Sequence, residues 1–367
     1  MRHLTTRMLR PVAVLATGAV IATTLAAPAQ AAPAADDRAA AWLERQLTDG
    51  LIYNKQFEFN DYGLTADVGI GLDAIGGHRD TVSDIARALA KNVDSWTTGV
   101  DFGADDVYAG SVAKAVVLAQ SAERNPREFG GVNLVQRLAA RVSDTAPYAG
   151  RIEDKGEMDY ANTIGQLFAA VGLADAGSPQ AGPVVRFLLK QQCSDGYFRL
   201  NFAPKSKQRQ GCDAGTPDES APDTDTTALA VIALNALPKQ GKRVRAAVDN
   251  ATDWLFGTQK RNGSFGGGVA TEASNTNSTG LAAWALGDTG SCRAAVKAAR
   301  WVRGLQVAGD VAGTPLAGER GAIAYNLAAM KAAESDGITV ETRDQWRRAS
   351  AQAAPGLTFT SVERCRR

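Results

Sequence analysis

Two acids one residue apart, Asp223 and Asp225, open the apolar run Asp223-Thr-Asp-Thr-Thr-Ala-Leu-Ala-Val-Ile-Ala-Leu. A carboxylic acid in a dry site can act as a proton donor when its surroundings keep it protonated. The same place suits a plainer task, because Asp and Thr at a helix start accept hydrogen bonds from the free N-terminal amides. Further along, Asn275 and Asn277 hold the matching places in Asn275-Thr-Asn-Ser-Thr-Gly-Leu. Asn caps as well as Asp but donates no such proton, so the repetition favours capping.

Other chemistries find less support. Outside the first 31 residues the one histidine is His78, in the turn Gly76-Gly77-His78-Arg79-Asp80. A lone loop histidine is more often solvated than catalytic. Zinc needs more Cys and His than this, and no metal is expected. The acids Asp213, Asp218, Glu219, Asp223 and Asp225 lack the ligand spacing of a calcium loop, and no cofactor is called for. Asp61, Asp159, Asp223 and Glu319 each precede an apolar run, with Tyr62, Tyr108 and Tyr160 beside or between them. Two such carboxylates on one rim, flanked by tyrosines, would suit polysaccharide cleavage.

The elements that must position these residues form a repeat, and self-similarity at a fixed period dictates the fold. Phe187-Leu-x-x-x-Gln192-x-x-x-Gly196-x-Phe198 and Trp254-Leu-x-x-x-Gln259-x-x-x-Gly263-x-Phe265 each lead to an apolar run opening on Asx-Thr-Asx-x-Thr. Weaker copies are Trp42-Leu with Gln46 and Gly50, and Trp301-Val with Gln306 and Gly309. Six apolar windows begin near Asp61, Val107, Asp159, Asp223, Asn275 and Glu319. Their fifth residues are Thr65, Ser111, Thr163, Thr227, Thr279 and Ile323. More amphipathic stretches precede them, such as 184–192, 248–259 and 294–306. A helix apolar on every side must be surrounded by protein, and an amphipathic one has a solvated face. The pattern predicts an all-α, (α/α)6 toroid of six helical hairpins in two concentric layers.

Arg2, Arg7 and Arg10, the apolar run that follows, and Ala29-Gln-Ala31 read in order as a secretory signal peptide. The expected organisation is a signal peptide over 1–31, the toroid over 32–340 and a C-terminal tail over 341–367. The predicted location is extracellular, with no stable membrane anchor. Lys and Arg total 40 against 39 Asp and Glu, and no basic stripe argues for nucleic acid. Four cysteines in an exported chain read as two disulfides with three possible connectivities. Proximity favours Cys193–Cys212 within one repeat and Cys292–Cys365 tying the tail to the last repeat.

The aromatic-Leu-x-x-x-Gln-x-x-x-Gly-x-Phe copies resemble the QW repeat of squalene and oxidosqualene cyclases, with Phe replacing the terminal Trp. From about Ala39 to Ala333 the chain resembles the terpenoid cyclase/protein prenyltransferase superfamily, in the manner of a secreted prenyltransferase and squalene oxidase repeat protein. The resemblance implies the toroid but says little about activity. Asp223-Thr-Asp225-Thr226-Thr-Ala resembles the Asp-x-Asp-Asp-Thr-Ala motif of class II terpene cyclases, which would make Asp225 the acid that protonates an alkene or epoxide. Thr226 stands where that motif has Asp, so the acid cluster is incomplete. The zinc chemistry of prenyltransferases and the thioester of complement relatives have no matching residues here. In the repeat, Gln192 and Gln259 are expected to satisfy open helix-end groups.

The expectation is therefore a secreted toroid that binds a ligand at the inner-helix rim without catalysis. Tyr62, Tyr108, Asp159, Tyr160, Asp223, Asp225 and Asn277 are the candidate contacts. Its partner would be a small molecule or an extracellular protein or glycan. The alternatives are a cyclase-type isomerase or lyase using Asp225, and a polysaccharide-active (α/α)6 enzyme.

Overall fold

The computed structural model describes residues 34–366, so the expected signal peptide lies outside the described residues. Six helical hairpins follow one another. The first is α1 (Ala35–Glu44) with α2 (Tyr62–Ile75). The second joins α3 (Arg79–Lys91), through the short α4 (Val93–Thr97), to α5 (Ala109–Ser121). Then come α6 (Leu134–Ala139) with α7 (Thr163–Asp175), α8 (Ala181–Leu189) with α9 (Thr224–Asn235), and α10 (Lys242–Thr258) with α11 (Thr276–Asp288). Last is α12 (Cys292–Arg303), which reaches α14 (Val340–Ala353) by way of α13 (Leu327–Asp336); α15 (Val362–Cys365) follows. Three short antiparallel strands, Leu47–Thr48, Leu51–Asn54 and Phe59–Asn60, decorate the first hairpin, pairing Leu47 with Ile52 and Tyr53 with Asn60.

The second member of each hairpin lies inside. Helix α2 packs on α5, α5 on α7, α7 on α9, α9 on α11, α11 on α14 and α14 back on α2, so the inner layer closes into an α/α toroid. Apart from α14, the inner helices are rich in Ala, Gly and Leu on all sides, whereas the outer α3 and α12 carry one strongly apolar face. Small residues set the spacing of the ring. A Cβ on Gly280 of α11 would lie 2.3 Å from the Cα of Ala353 in α14.

One hydrogen bond recurs around the ring and identifies equivalent positions. The amides of Ile52, Phe198 and Phe265 donate to the hydroxyls of Thr65, Thr227 and Thr279, each at 2.9 Å. In the third hairpin the acceptor is the side chain of Gln166 for Ile152 N–H (3.0 Å), and in the sixth it is Ser350 for Ile323 N–H (2.9 Å). Two expectations are corrected here. The third window starts at Asn162, which caps α7, rather than at Asp159. The sixth inner helix is not the stretch after Glu319, which is a loop, but α14 continued by the 3-10 turn Pro355–Phe359. Residues from 341 onward, expected as a tail, thus complete the ring. Their charged, Arg-rich helix start hid an inner helix that projects beyond its neighbours before turning apolar at Ala349–Ala354.

The repeat glutamines staple neighbouring outer helices. Gln192 Nε2 donates to Gly196 O (2.8 Å) and to Ala247 O of α10 (2.9 Å). Gln259 bridges Gly263 O and Ala294 O of α12, both at 3.0 Å. Gln306 does the same for Gly321 O (3.2 Å) and Ala35 O of α1 (2.8 Å), and accepts from Arg38 at 3.0 Å. The turn glycine of that copy is therefore Gly321 and not Gly309, a longer loop having been inserted between Gln and Gly. This last staple joins the final outer helix to the first. Gln306→Ala strands buried acceptors at that seam, and we expect a loss of about 2–3 kcal/mol by urea unfolding. A loss below about 0.5 kcal/mol would remove the staple from the account of ring closure.

The cysteines stand in the expected pairs, Cys193 with Cys212 and Cys292 with Cys365, at Cα separations of 4.9 and 5.6 Å that a disulfide spans. No helix among the described residues is long and apolar enough to cross a membrane.

Candidate functional site

Because the recurring bond fixes the register, the axis can be read layer by layer. Two residues beyond each equivalent position stand Asp67, Phe168, Leu229, Leu281 and Gln352; on α5, where Ser111 does not make the recurring bond, Lys114 is assigned to this level because it lines the same cavity. These six, one from each inner helix, all line a cavity of about 470 Å³ on the ring axis. We call this layer the waist. Its polarity is divided: Gln352, Asp67 and Lys114 form one arc, and Phe168, Leu229 and Leu281 the other. Lys114 Nζ lies 2.7 Å from Asp67 Oδ1 and 5.5 Å from the centroid of Phe168. Three residues on, Ile70, Val117, Val171, Ile232 and Trp284 make an apolar layer of the same cavity.

One helical turn before the waist stand Gly63, Gly110, Ile164, Asp225, Asn277 and Arg348. The two glycines and Ile164 leave room for a second chamber of about 380 Å³, walled also by Trp96, Tyr108, Asp154 and Tyr160. Lys114, Ile164 and Phe168 belong to the walls of both chambers. Asp154 accepts the amides of Ala109 (2.7 Å) and Tyr160 (2.9 Å), and burial raises its carboxyl above the ordinary carboxylate range.

The sequence candidates separate into different roles. Asp223 caps α9 through Thr226 N–H (2.7 Å), and Asn275 caps α11 through Ser278 N–H (2.9 Å). Asp225 caps nothing. Burial pushes its carboxyl up to about 6, the nearby Ser278 hydroxyl pulls it back, and the charge of Asp223 raises it further. Its Oδ1 is buried without a hydrogen-bond partner. The Tyr325 phenol is raised mainly by burial and then by the charge of Asp225. Asn277 donates to Gln352 Oε1 at 2.6 Å. Tyr62 donates to Asn92 Oδ1 at 3.3 Å, and Tyr108 and Tyr160 wall the upper chamber. Asp159 pairs with Arg151 at 2.9 Å and accepts the amide of Asp154 at 3.0 Å.

The carboxylates proposed for a glycan groove are similarly engaged. Asp61 caps α2 and pairs with Arg348. Glu319 binds Arg343 (2.7 Å) and accepts from Trp42 Nε1 (2.8 Å). His78 Nδ1 lies 2.9 Å from Glu44. Among the described residues no three His, Cys, Asp or Glu side chains gather as a metal site would.

Sequence reasoning missed Lys114, Asp67 and Gln352. The first two left a signal, each being the lone charge in the interior of an otherwise apolar inner window. Gln352 left none, because its helix was read as tail.

The closed ring and its axial chambers are those of an α/α toroid, a fold the chain shares with solved terpene cyclases and a glucuronyl hydrolase. Type II terpene cyclase MstE from Scytonema superposes with a TM-score of 0.59 at 15% identity, over 89% of this chain and 97% of that one. ent-Copalyl diphosphate synthase from Streptomyces platensis gives 0.50 at 19% identity, over 82% of this chain and 52% of its own. Unsaturated glucuronyl hydrolase from Bacillus sp. GL1 gives 0.53 at 13% identity, over 88% and 95%. At such identities the likeness is one of fold. No protein-family profile and no curated protein matches the sequence.

Proposed function

We propose that this toroid is an extracellular protein that holds an apolar small molecule on its axis. The observation that carries the reading is the axial cavity, whose layer below the waist is built from Ile70, Val117, Val171, Ile232 and Trp284. Concave, mostly apolar sites with a few placed polar groups are the usual form of small-molecule pockets. A rim rich in exposed apolar side chains supports it. Phe57, Phe59, Phe102, Met158 and Tyr160 are exposed in segments that lead into the inner helices α2, α5 and α7. The paired cysteines suit an oxidising compartment.

Native mass spectrometry of the protein purified from its own host tests this, with Ala233→Trp as the partner variant. Ala233 lines the cavity, and an indole there intrudes into it. We expect a co-purifying apolar molecule on the natural chain and its loss from the folded variant. A natural chain that neither carries nor takes up any apolar compound would overturn the reading.

A second reading has its own observation. Asp225 stands one helical turn before the cavity-lining Leu229, holds its proton more firmly than an ordinary carboxylate, and has one buried oxygen without a partner. These are the properties of a proton donor to an apolar substrate, and MstE is described as a type II terpene cyclase. Asp225→Asn would then abolish turnover of a polyene while leaving its binding intact. Turnover that survives in Asp225→Asn would eliminate Asp225 as the acid.

A further inference from the structure

We infer that the waist selects a neutral hydroxyl head, so that the ligand of the axial cavity is an apolar alcohol rather than a hydrocarbon or a carboxylate. This rests on the axial-cavity reading above and names its ligand class. The waist is the one layer of that cavity in which all six inner helices meet with a divided polarity, and its polar arc is a matched set. Lys114 is a three-proton donor of which Asp67 takes one at 2.7 Å. Asp67 is an acceptor with a second oxygen, and Gln352 has a side-chain amide, its Oε1 already accepting from Asn277.

A hydroxyl both accepts and donates, so it can accept a hydrogen bond from Lys114 and donate one to Asp67 without disturbing the ion pair. A hydrocarbon would leave the arc's donors and acceptors unanswered next to apolar surface, which is costly. A carboxylate meets the opposite problem. The two chambers hold Asp67, Asp73 and Asp154 around a single ammonium, Lys114; the layer above adds Asp225 and Arg348, the latter already paired with Asp61 and Asp344. An added anion would be repelled or would break the Lys114–Asp67 pair. The apolar arc of Phe168, Leu229 and Leu281 opposite, continued by Ile232 and Trp284, then receives the hydrocarbon part.

Displacement of Nile red from the full chain by decan-1-ol, decane and decanoate tests the inference. In the natural protein decan-1-ol should bind about tenfold more tightly than either of the others, the value of one good hydrogen-bonded head. Lys114→Met/Asp67→Leu removes the ion pair of the arc without stranding a charge and leaves Gln352 held by Asn277. It should abolish the gap between decan-1-ol and decane, with decane binding at least as tightly as to the natural chain, because the cost of leaving the ion pair unanswered is gone. Retained decane binding shows that the variant is folded. Equal binding of decane and decan-1-ol to the natural chain, tightest binding by decanoate, or an alcohol preference that persists in the double variant would each overturn the inference and leave the axial-cavity reading standing. Failure of Nile red and all three compounds to bind would overturn both.

Discussion

Gly321→Ala should cost the fold at least about 3–5 kcal/mol, enough to threaten a protein of ordinary stability. Gly321 sits at φ +103°, outside the range that a side chain tolerates readily, and a Cβ there would lie 2.0 Å from the carbonyl oxygen of Arg38 in α1. That carbonyl belongs to the backbone of a helix and cannot swing away. The same construction recurs at Gly196, whose Cβ would meet Asn250 O at 2.6 Å, and at Gly263, which would meet Lys297 O at 2.6 Å. Each turn is pressed against the next outer helix so closely that only glycine fits, and Gly321 does this at the seam where the ring closes. Gly76→Ala is the control. Its φ of +83° and ψ of 159° lie in a region used almost only by glycine, but nothing lies within 4 Å, so only backbone strain of about 1–3 kcal/mol is at stake. Urea midpoints of the two variants decide the matter. Equal losses would mean that the seam has room to yield.

Asp225→Asn should stabilise the protein at neutral pH, by as much as about 2–3 kcal/mol. A carboxyl held up to about 6 in the fold but near its ordinary value when unfolded keeps its proton longer in the folded state. Between about pH 4 and 6 the folded chain therefore binds the extra proton, and stability falls as the pH rises. Above that window the full penalty of a buried, partly unpartnered carboxylate remains. The amide has no charge to desolvate, so its stability curve should lack this fall. Chemical denaturation at pH 4.5 and 7.5 gives the comparison. Parallel curves for the two proteins would show that Asp225 is no more burdened than a surface acid. A gain on removing it would mark a group kept in spite of its cost to the fold, as functional residues often are.

The pairing of Asp223 with Asn275, and of Asp225 with Asn277, shows how far a repeat can be trusted. The first pair has one job in both hairpins, capping through a side-chain oxygen that Asp and Asn share. The second pair has diverged. Asn277 reaches Gln352 through its amide, whereas the carboxyl of Asp225 lies buried near Ser278. Equivalent sequence positions face the same direction, but their neighbours come from the next helix in the ring, and that helix differs each time.

The sequence by itself determined the two helix layers, their order, polar caps opening the inner helices at 223–226 and 275–277, and the role of Gln192 and Gln259 at helix ends; the structure assigns the caps to Asp223 and Asn275. These follow from periodicity and from local hydrogen bonds, which act over a few residues along the chain. Only the tertiary structure decided the sixth inner helix, the replacement of the expected Thr163 and Ile323 by Gln166 and Ser350, and the waist itself. Asp67 and Lys114 lie one hairpin apart in the chain, and Gln352 comes almost three hundred residues after Asp67. They meet because closure of the ring places the last inner helix beside the first. Closure is a long-range packing event, driven by burial of all-round apolar helices against one another. No local pattern in the chain records which side chains it will bring to one level of the axis.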